Sequence, residues 1–370
     1  MEKWLKKRAD ASTGDALVFP GNENYYNIYR LQKDRLETHV FPFVNAGLVA
    51  FGEGGYQIYS DHGLLHVNAV IKIAGQLLGC TNEDSDIRLS PYEVFLFLMS
   101  ALAHDAGNLE GRERHEIRAF KVLNAPETKV MNNPFEMRSI HDIAVSHTAK
   151  KLLGGGKDKD TISKLKGQIS FSSIPFRPQS IAALLRISDE ICEDQSRIPR
   201  VLLGNASIRT GPSAPFLFFG NSITSVDIIN NEVIINIEIS EDLVENPLKF
   251  NKVVLDDNGD VKFNSTGLET KEAEIFLSEE ILDRLTKIHL EWVYCIRYLR
   301  DIIIVNQIRS EISISIEQKD DYVAYIVNVA SINLGEYGYP SGASRIDNGS
   351  LSPESLKMKL ETGRVEKGVQ

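Results

Sequence analysis

The sequence predicts a mainly α protein, in which a helical domain is followed by a smaller α+β domain with antiparallel hairpins and one long helix. Three observations carry this expectation. Apolar residues recur at helical spacing through the first two hundred positions, β-branched runs flanking turn residues replace that period after Pro199, and one long amphipathic stretch separates two such runs. With 370 residues, 42% of them apolar, the chain can bury a sizeable core. We place the helical domain at 1–200, the α+β domain at 201–330 and a flexible tail at 331–370.

Helical spacing is carried in order by SDHGLLHVNAVIKIAGQLLG (60–79), LSPYEVFLFLMSALAHD (89–105), RHEIRAFKVL (114–123), SIHDIAVSHTAKKLL (139–153) and PQSIAALLRISDEICEDQ (178–195). Ser90 and Pro91 have the chemistry of a cap and first turn, and Gly107 that of a stop. VDIINNEVIINIEI (226–239) reads as a hairpin about Asn230 and Asn231, and EISISIEQKDDYVAYIVNV (311–329) repeats the pattern. Between them, residues 271–304 read as one long helix. The segment after Ala330 is rich in Gly, Ser and Pro and poor in large apolar residues, which predicts mobility.

Composition removes several function classes. No uncharged apolar run reaches eighteen residues and the N-terminal MEKWLKKRADASTGD lacks a hydrophobic stretch, so neither a membrane span nor a signal peptide is expected and the cytoplasm is the default. Cys80, Cys192 and Cys295 are widely spaced, which suggests buried thiols rather than disulfides or a thiolate zinc site. A net charge of −10 disfavours extended duplex nucleic acid. The basic run KKLLGGGKDKDTISKLKG (150–167) is broken by glycines and aspartates and reads as a surface loop.

The chemical signal lies in histidine. Six of the eight fall between 62 and 147: His62, His66, His104, His115, His141 and His147. They sit on or beside different helices, and packed helices can aim such side chains at one interior point. His104 with Asp105 gives an imidazole and a carboxylate at a helix end, a donor pair suited to a divalent ion, and Asp105 could bridge two ions. Asp189 interrupts an apolar helix face where a carboxylate needs a cation or hydrogen-bond partner. His141 is six residues before His147 and off its helix face, while His39 and His289 lie outside the cluster.

The ordered combination HxxxHV, AHDAGN, RxRHEIRAF, IxxSHT and LLRISDxxxxxxSR, spanning residues 58–200, resembles the HD superfamily of metal-dependent phosphohydrolases. The resemblance implies an HD-type helical bundle with His66, His104, Asp105 and Asp189 as primary metal ligands. His115 and His147 match positions that complete a second metal site in binuclear members, although in some relatives the residue at the spacing of His115 is catalytic. DHGLLH is similar to a phosphodiesterase segment whose earlier histidine protonates the leaving group, which would make His62 the general acid. Asn108 stands where many members carry a phosphate-assisting lysine, so that role passes to Arg112, Arg114, Arg118 or Arg197, whose guanidinium groups can grip phosphate oxygens.

The implied reaction is metal-assisted hydrolysis, in which hydroxide formed near neutral pH attacks phosphorus. One or two divalent ions are expected, with Mn, Mg, Fe, Zn, Co and Ni undistinguished. The expected substrate is a nucleotide or short oligonucleotide. A nuclease effector acting on single strands, a di-iron oxygenase and a non-catalytic nucleotide sensor are the alternatives. The C-terminal domain could serve dimerisation, substrate gating or docking of another protein.

Overall fold

The computed structural model describes residues 1–12, 18–51, 60–111, 115–148, 150–151, 157–198, 203–256, 262–264, 267–317, 324–333 and 352–366. The chain divides into two compact units. One comprises Met1–Gly55, Asp61–Cys192 and Cys295–Ile304; the other comprises Tyr56–Ser60, Glu193–Tyr294 and Val305–Gln370.

The first unit is built from α1 (Glu2–Ala11), α2 (Tyr25–His39), α3 (Phe41–Phe51), α4 (Leu64–Leu77), α5 (Pro91–Ala103), α6 (His115–Leu123), α7 (Pro134–Val145) and α8 (Pro178–Ile191). Its centre is α5, PYEVFLFLMSALA, which is apolar on every side and therefore needs neighbours all round. Every residue from Tyr92 to Ala103 is buried, and α1, α2, α4, α7 and α8 pack against it. Polar atoms enter this core in partnered form: the hydroxyls of Tyr25 and Tyr92 donate to Glu136 Oε1 at 3.0 and 3.1 Å.

The start of α5 is fixed by a reciprocal cap. Ser90 Oγ accepts from Glu93 N at 3.2 Å, and Glu93 Oε2 accepts from Ser90 N at 2.8 Å. Glu93 is also gripped by Arg177, which donates from N at 2.9 Å, Nε at 2.7 Å and Nη2 at 2.8 Å, tying the entry of α8 to that of α5. A 3-10 turn, Ala106–Glu110, follows α5. Gly107 there lies so close to α6 that an added Cβ would sit 1.9 Å from the carbonyl oxygen of His115.

In the first unit β1 (Ile169–Phe171) and β2 (Ile174–Phe176) pair antiparallel before α8, and in the second unit β3 (Ile223–Ile229), β4 (Glu232–Ser240), β7 (Gln307–Glu317) and β8 (Ala324–Asn333) form a four-stranded sheet in the order β8-β7-β4-β3. The outer pairs are antiparallel, while β4 and β7 run parallel. Asn230 and Asn231 take φ of 52° and 63°, as a tight turn between β3 and β4 requires. Strand alternation buries Val233, Ile235, Ile237 and Ile239 on one face of β4. The short helix α9 (Ala214–Ser222) precedes the sheet.

The long helix is α10 (Leu277–Leu299), whose buried Leu277, Ile281, Leu285, Ile288, Trp292, Cys295 and Leu299 follow the helical period. It is shorter than 271–304 because Thr270–Ile275 forms β6, which pairs antiparallel with β5 (Leu248–Val253). Beyond 331, β8 continues to Asn333 and a final helix, α11 (Pro353–Glu366), packs on β8. Leu356 and Leu360 are buried there, so a few leucines at helical spacing anchor a segment whose average composition predicts mobility. Among the described residues, no helix is long and apolar enough to cross a membrane.

Glu93→Ala would leave Arg177 and two backbone N–H groups without their acceptor. The variant is expected to be destabilised by about 3 kcal/mol, towards the low end for broken buried pairs because Arg177 keeps some solvent. Urea unfolding should show a lower midpoint at unchanged slope.

Candidate metal centre

The donor side chains arrive from separate parts of the helical unit. His66 lies on the first turn of α4, His104 and Asp105 at the end of α5, and Asp189 on the last turn of α8. His62 precedes α4, His115 opens α6, and His147 lies two residues past the end of α7. His104 is fully buried, His66 and Asp105 nearly so, and His62, His115 and His147 are buried. Asp189 is the most open, its side chain 28% exposed.

Four donor atoms converge. His66 Nε2 is 3.0 Å from His104 Nε2, 3.1 Å from Asp189 Oδ1 and 3.3 Å from Asp105 Oδ2. His104 Nε2 is 3.6 Å from Asp105 Oδ2 and 3.8 Å from Asp189 Oδ1. Neighbouring donors of an ion bound at about 2.0–2.2 Å stand roughly 2.8–3.6 Å apart. The observed spacings follow that pattern, with the last slightly wide.

Asp105 joins this group to a second. Its Oδ2 also lies 2.7 Å from His62 Nδ1, while Oδ1 lies 3.3 Å from His115 Nε2. The donor atoms of Asp105, His115 and His147 all lie within 4.8 Å of one another, as do those of His62, His66 and Asp105 and those of His66, Asp189 and Cys192.

The donor chemistry fits a divalent cation. The Nδ1 atoms of His104 and His147 face the carbonyl oxygens of Ala101 and Ala144, and a carbonyl can only accept, so each Nδ1 carries the proton and each Nε2 presents a lone pair. Burial lowers the pKa of both rings, that of His147 to about 4, so both are neutral at physiological pH. For Asp105, burial alone would raise the pKa, but in acid the protonated rings of His104 and His62, with hydrogen bonds from His115 and His62, hold it well below the usual range. Asp189 behaves alike: burial opposes, and the hydrogen bond and charge of His66 with the charge of His104 outweigh it. Two carboxylates and the lone-pair nitrogens of His104 and His147 thus share one buried region, a donor set whose charge a divalent cation would balance.

The other residues singled out in the sequence lie as follows. Arg112 and Arg114 fall outside the described residues. Arg118 donates to the carbonyls of Glu110 and Gly111 and pairs with Glu110 Oε2 at 3.7 Å, which ties it to the turn after α5. Arg197 is buried and pairs with Glu193 Oε2 at 2.6 Å. Asn108 is fully buried, and neither amide atom has a hydrogen-bond partner. His141 packs edge-on against Phe120, 5.0 Å between ring centroids, and beside Asp142. Cys80 is half-buried, whereas Cys192 and Cys295 are buried.

Sequence reasoning missed Cys192. Read as a buried thiol, it sits with its Sγ 3.5 Å from His66 Nδ1 and donates to the carbonyl of Asp189 at 3.1 Å. The signal was its place three residues after Asp189, one turn along the same helix end.

Comparison with known proteins agrees with this geometry. A family model described as HD-CE matches residues 56–248, more than half of the chain. No curated protein and no solved structure matches.

The metal-free protein is expected to lose stability in acid. A folded-state pKa of about 4 for His147, against an ordinary 6.5, means the unfolded chain takes up its proton first as pH falls. The stabilisation is complete above 6.5 and lost as pH falls through about 4, worth at most about 3 kcal/mol for this ring. Asp105 and Asp189 act in the same direction below pH 4. Thermal melts in a chelating buffer should therefore show Tm falling from pH 7 to pH 4, and a flat profile would contradict the buried neutral ring.

Proposed function

The chain belongs to the HD-CE family, within the HD superfamily, and is a metal-dependent phosphohydrolase; from that premise we propose that it hydrolyses nucleotides or short oligonucleotides at the histidine–aspartate cluster. The observation that supports this most is the convergence of His66 Nε2, His104 Nε2, Asp105 Oδ2 and Asp189 Oδ1 on one buried point. In this reading His66, His104, Asp105 and Asp189 would hold one ion, and Asp105, His115 and His147 could hold a second. When bound, a divalent ion supplies Lewis acidity to a phosphoryl oxygen and makes water a nucleophile near neutral pH. Residues 1–200 carry the chemistry and 201–330 are accessory.

His62 is the general acid. Its Nδ1 lies 2.7 Å from Asp105 Oδ2, so Nδ1–H can donate to that carboxylate while Nε2 is the atom that would give a proton to the leaving oxygen. Its side chain is 11% exposed, more open than His66 or His104, as proton exchange with solvent requires. Arg112 and Arg114 are assigned to the phosphate oxygens. Arg118 can join them only by leaving the carbonyls of Glu110 and Gly111, and Arg197 only by leaving Glu193.

Substitutions separate these roles. Asp105→Ala should abolish hydrolysis while far-ultraviolet circular dichroism stays unchanged; turnover near the wild-type rate with added manganese would refute the assignment. His115→Ala and His147→Ala should lower metal stoichiometry, whereas His62→Ala should keep the metal and lose roughly a hundredfold or more in rate.

Net charge bears on substrate size. At −10, only local cations offset a few phosphates, so activity on nucleotides should depend weakly on salt. Neutralising many duplex phosphates would instead cost about a thousandfold or more in affinity between 50 and 200 mM salt. Preference for long duplex with that steep response would overturn the small-substrate reading.

A further inference from the structure

His104 and His147 are each oriented by the carbonyl three residues before them. His66 is oriented differently. It touches all three other donors of the convergent group through Nε2, and its Nδ1 faces the sulfur of Cys192 at 3.5 Å. The direction of that hydrogen bond follows from the next contact. With the thiol hydrogen of Cys192 directed at the carbonyl oxygen of Asp189 at 3.1 Å, the sulfur has a lone pair to accept from Nδ1–H whenever His66 Nε2 is a ligand.

We propose that Cys192 is a positioning residue of the metal centre: its sulfur holds His66 in the Nδ1–H tautomer and so aims the Nε2 lone pair at the ion. One helix end then does two things. The last turn of α8 supplies Asp189 as a donor, and the residue one turn further on orients the histidine 3.1 Å from that donor. Burial of Cys192 at 3% exposure keeps water from competing for Nδ1. A sulfur acceptor is weaker than a carbonyl or carboxylate, so His66 is the least electron-rich of the imidazoles in the group, and its hold on a metal depends on this contact.

The inference rests on the ligand set proposed above, and the test separates the two. Co2+ is titrated into chelator-treated wild type, Cys192→Ala and Cys192→Ser against a competing chelator, and the visible spectrum of bound Co2+ is recorded. Cys192→Ala should bind about 10–100-fold more weakly with an altered spectrum, and Cys192→Ser, which keeps an acceptor, should recover most of the affinity. Wild type without Co2+ binding would overturn the ligand set together with this inference. Wild-type affinity in Cys192→Ala, or equal weakening in Ala and Ser, would overturn the role of Cys192 alone. Should the variants fail to fold, 15N-histidine NMR of the Zn2+-loaded wild type decides: a protonated Nδ1 at His66 with Nε2 on the metal supports the inference, and an unprotonated Nδ1 overturns it.

Discussion

Two carboxylates and several imidazoles are held together at a largely buried point, and the rest of the helical unit follows from that constraint. Asp105 is 5% exposed and His104 fully buried, yet the side chains around them offer lone pairs to the same volume. Such a set is tolerable where its backbone anchors are rigid and a cation can be shared. Rigidity comes from α5. Its apolar surface is buried on all sides, its first turn is capped by Ser90 and Glu93, and Arg177 ties that cap to α8, so the ends that carry His104–Asp105 and Asp189 are fixed by one core.

Close backbone contacts carry the same constraint outward. Gly107 lets the turn after α5 press against the carbonyl of His115, and any side chain there would push α6 away from Asp105. Gly47 does the equivalent for α3, since an added Cβ would meet the carbonyl of Leu109 at 2.2 Å. Arg118 closes the turn by donating to its carbonyls. α3 and α6 are thereby held against the turn that follows Asp105, the residue whose two oxygens face the two groups of donors.

Much of this was legible in the sequence, for reasons that differ by element. The helix before His104 is readable because cap, proline and apolar run agree, and the Asn230–Asn231 turn because few pairs accept positive φ at both positions. The convergence of His66, His104, Asp105 and Asp189 was inferable from motif order. Other features depend on partners far along the chain. The parallel pairing of β4 with β7, the capture of Thr270–Ile275 by β5 and the burial of Leu356 and Leu360 are tertiary facts that local periodicity does not encode. His147 lies past a helix that ends at Val145, where spacing along a longer helix misplaces its direction. Cysteine spacing reports disulfides and thiolate zinc sites, whereas Cys192 contacts His66 through a single thiol behind the ring, which spacing does not encode.

The central claim is that a cation belongs among His66, His104, Asp105 and Asp189. It is tested most directly by crystallising the protein with Mn2+ and collecting anomalous diffraction on both sides of the metal absorption edge. The account predicts an edge-dependent peak bounded by His66 Nε2, His104 Nε2, Asp105 Oδ2 and Asp189 Oδ1, at roughly 2.0–2.3 Å from each. A fully ordered site without that peak, or metal bound only elsewhere, would contradict it.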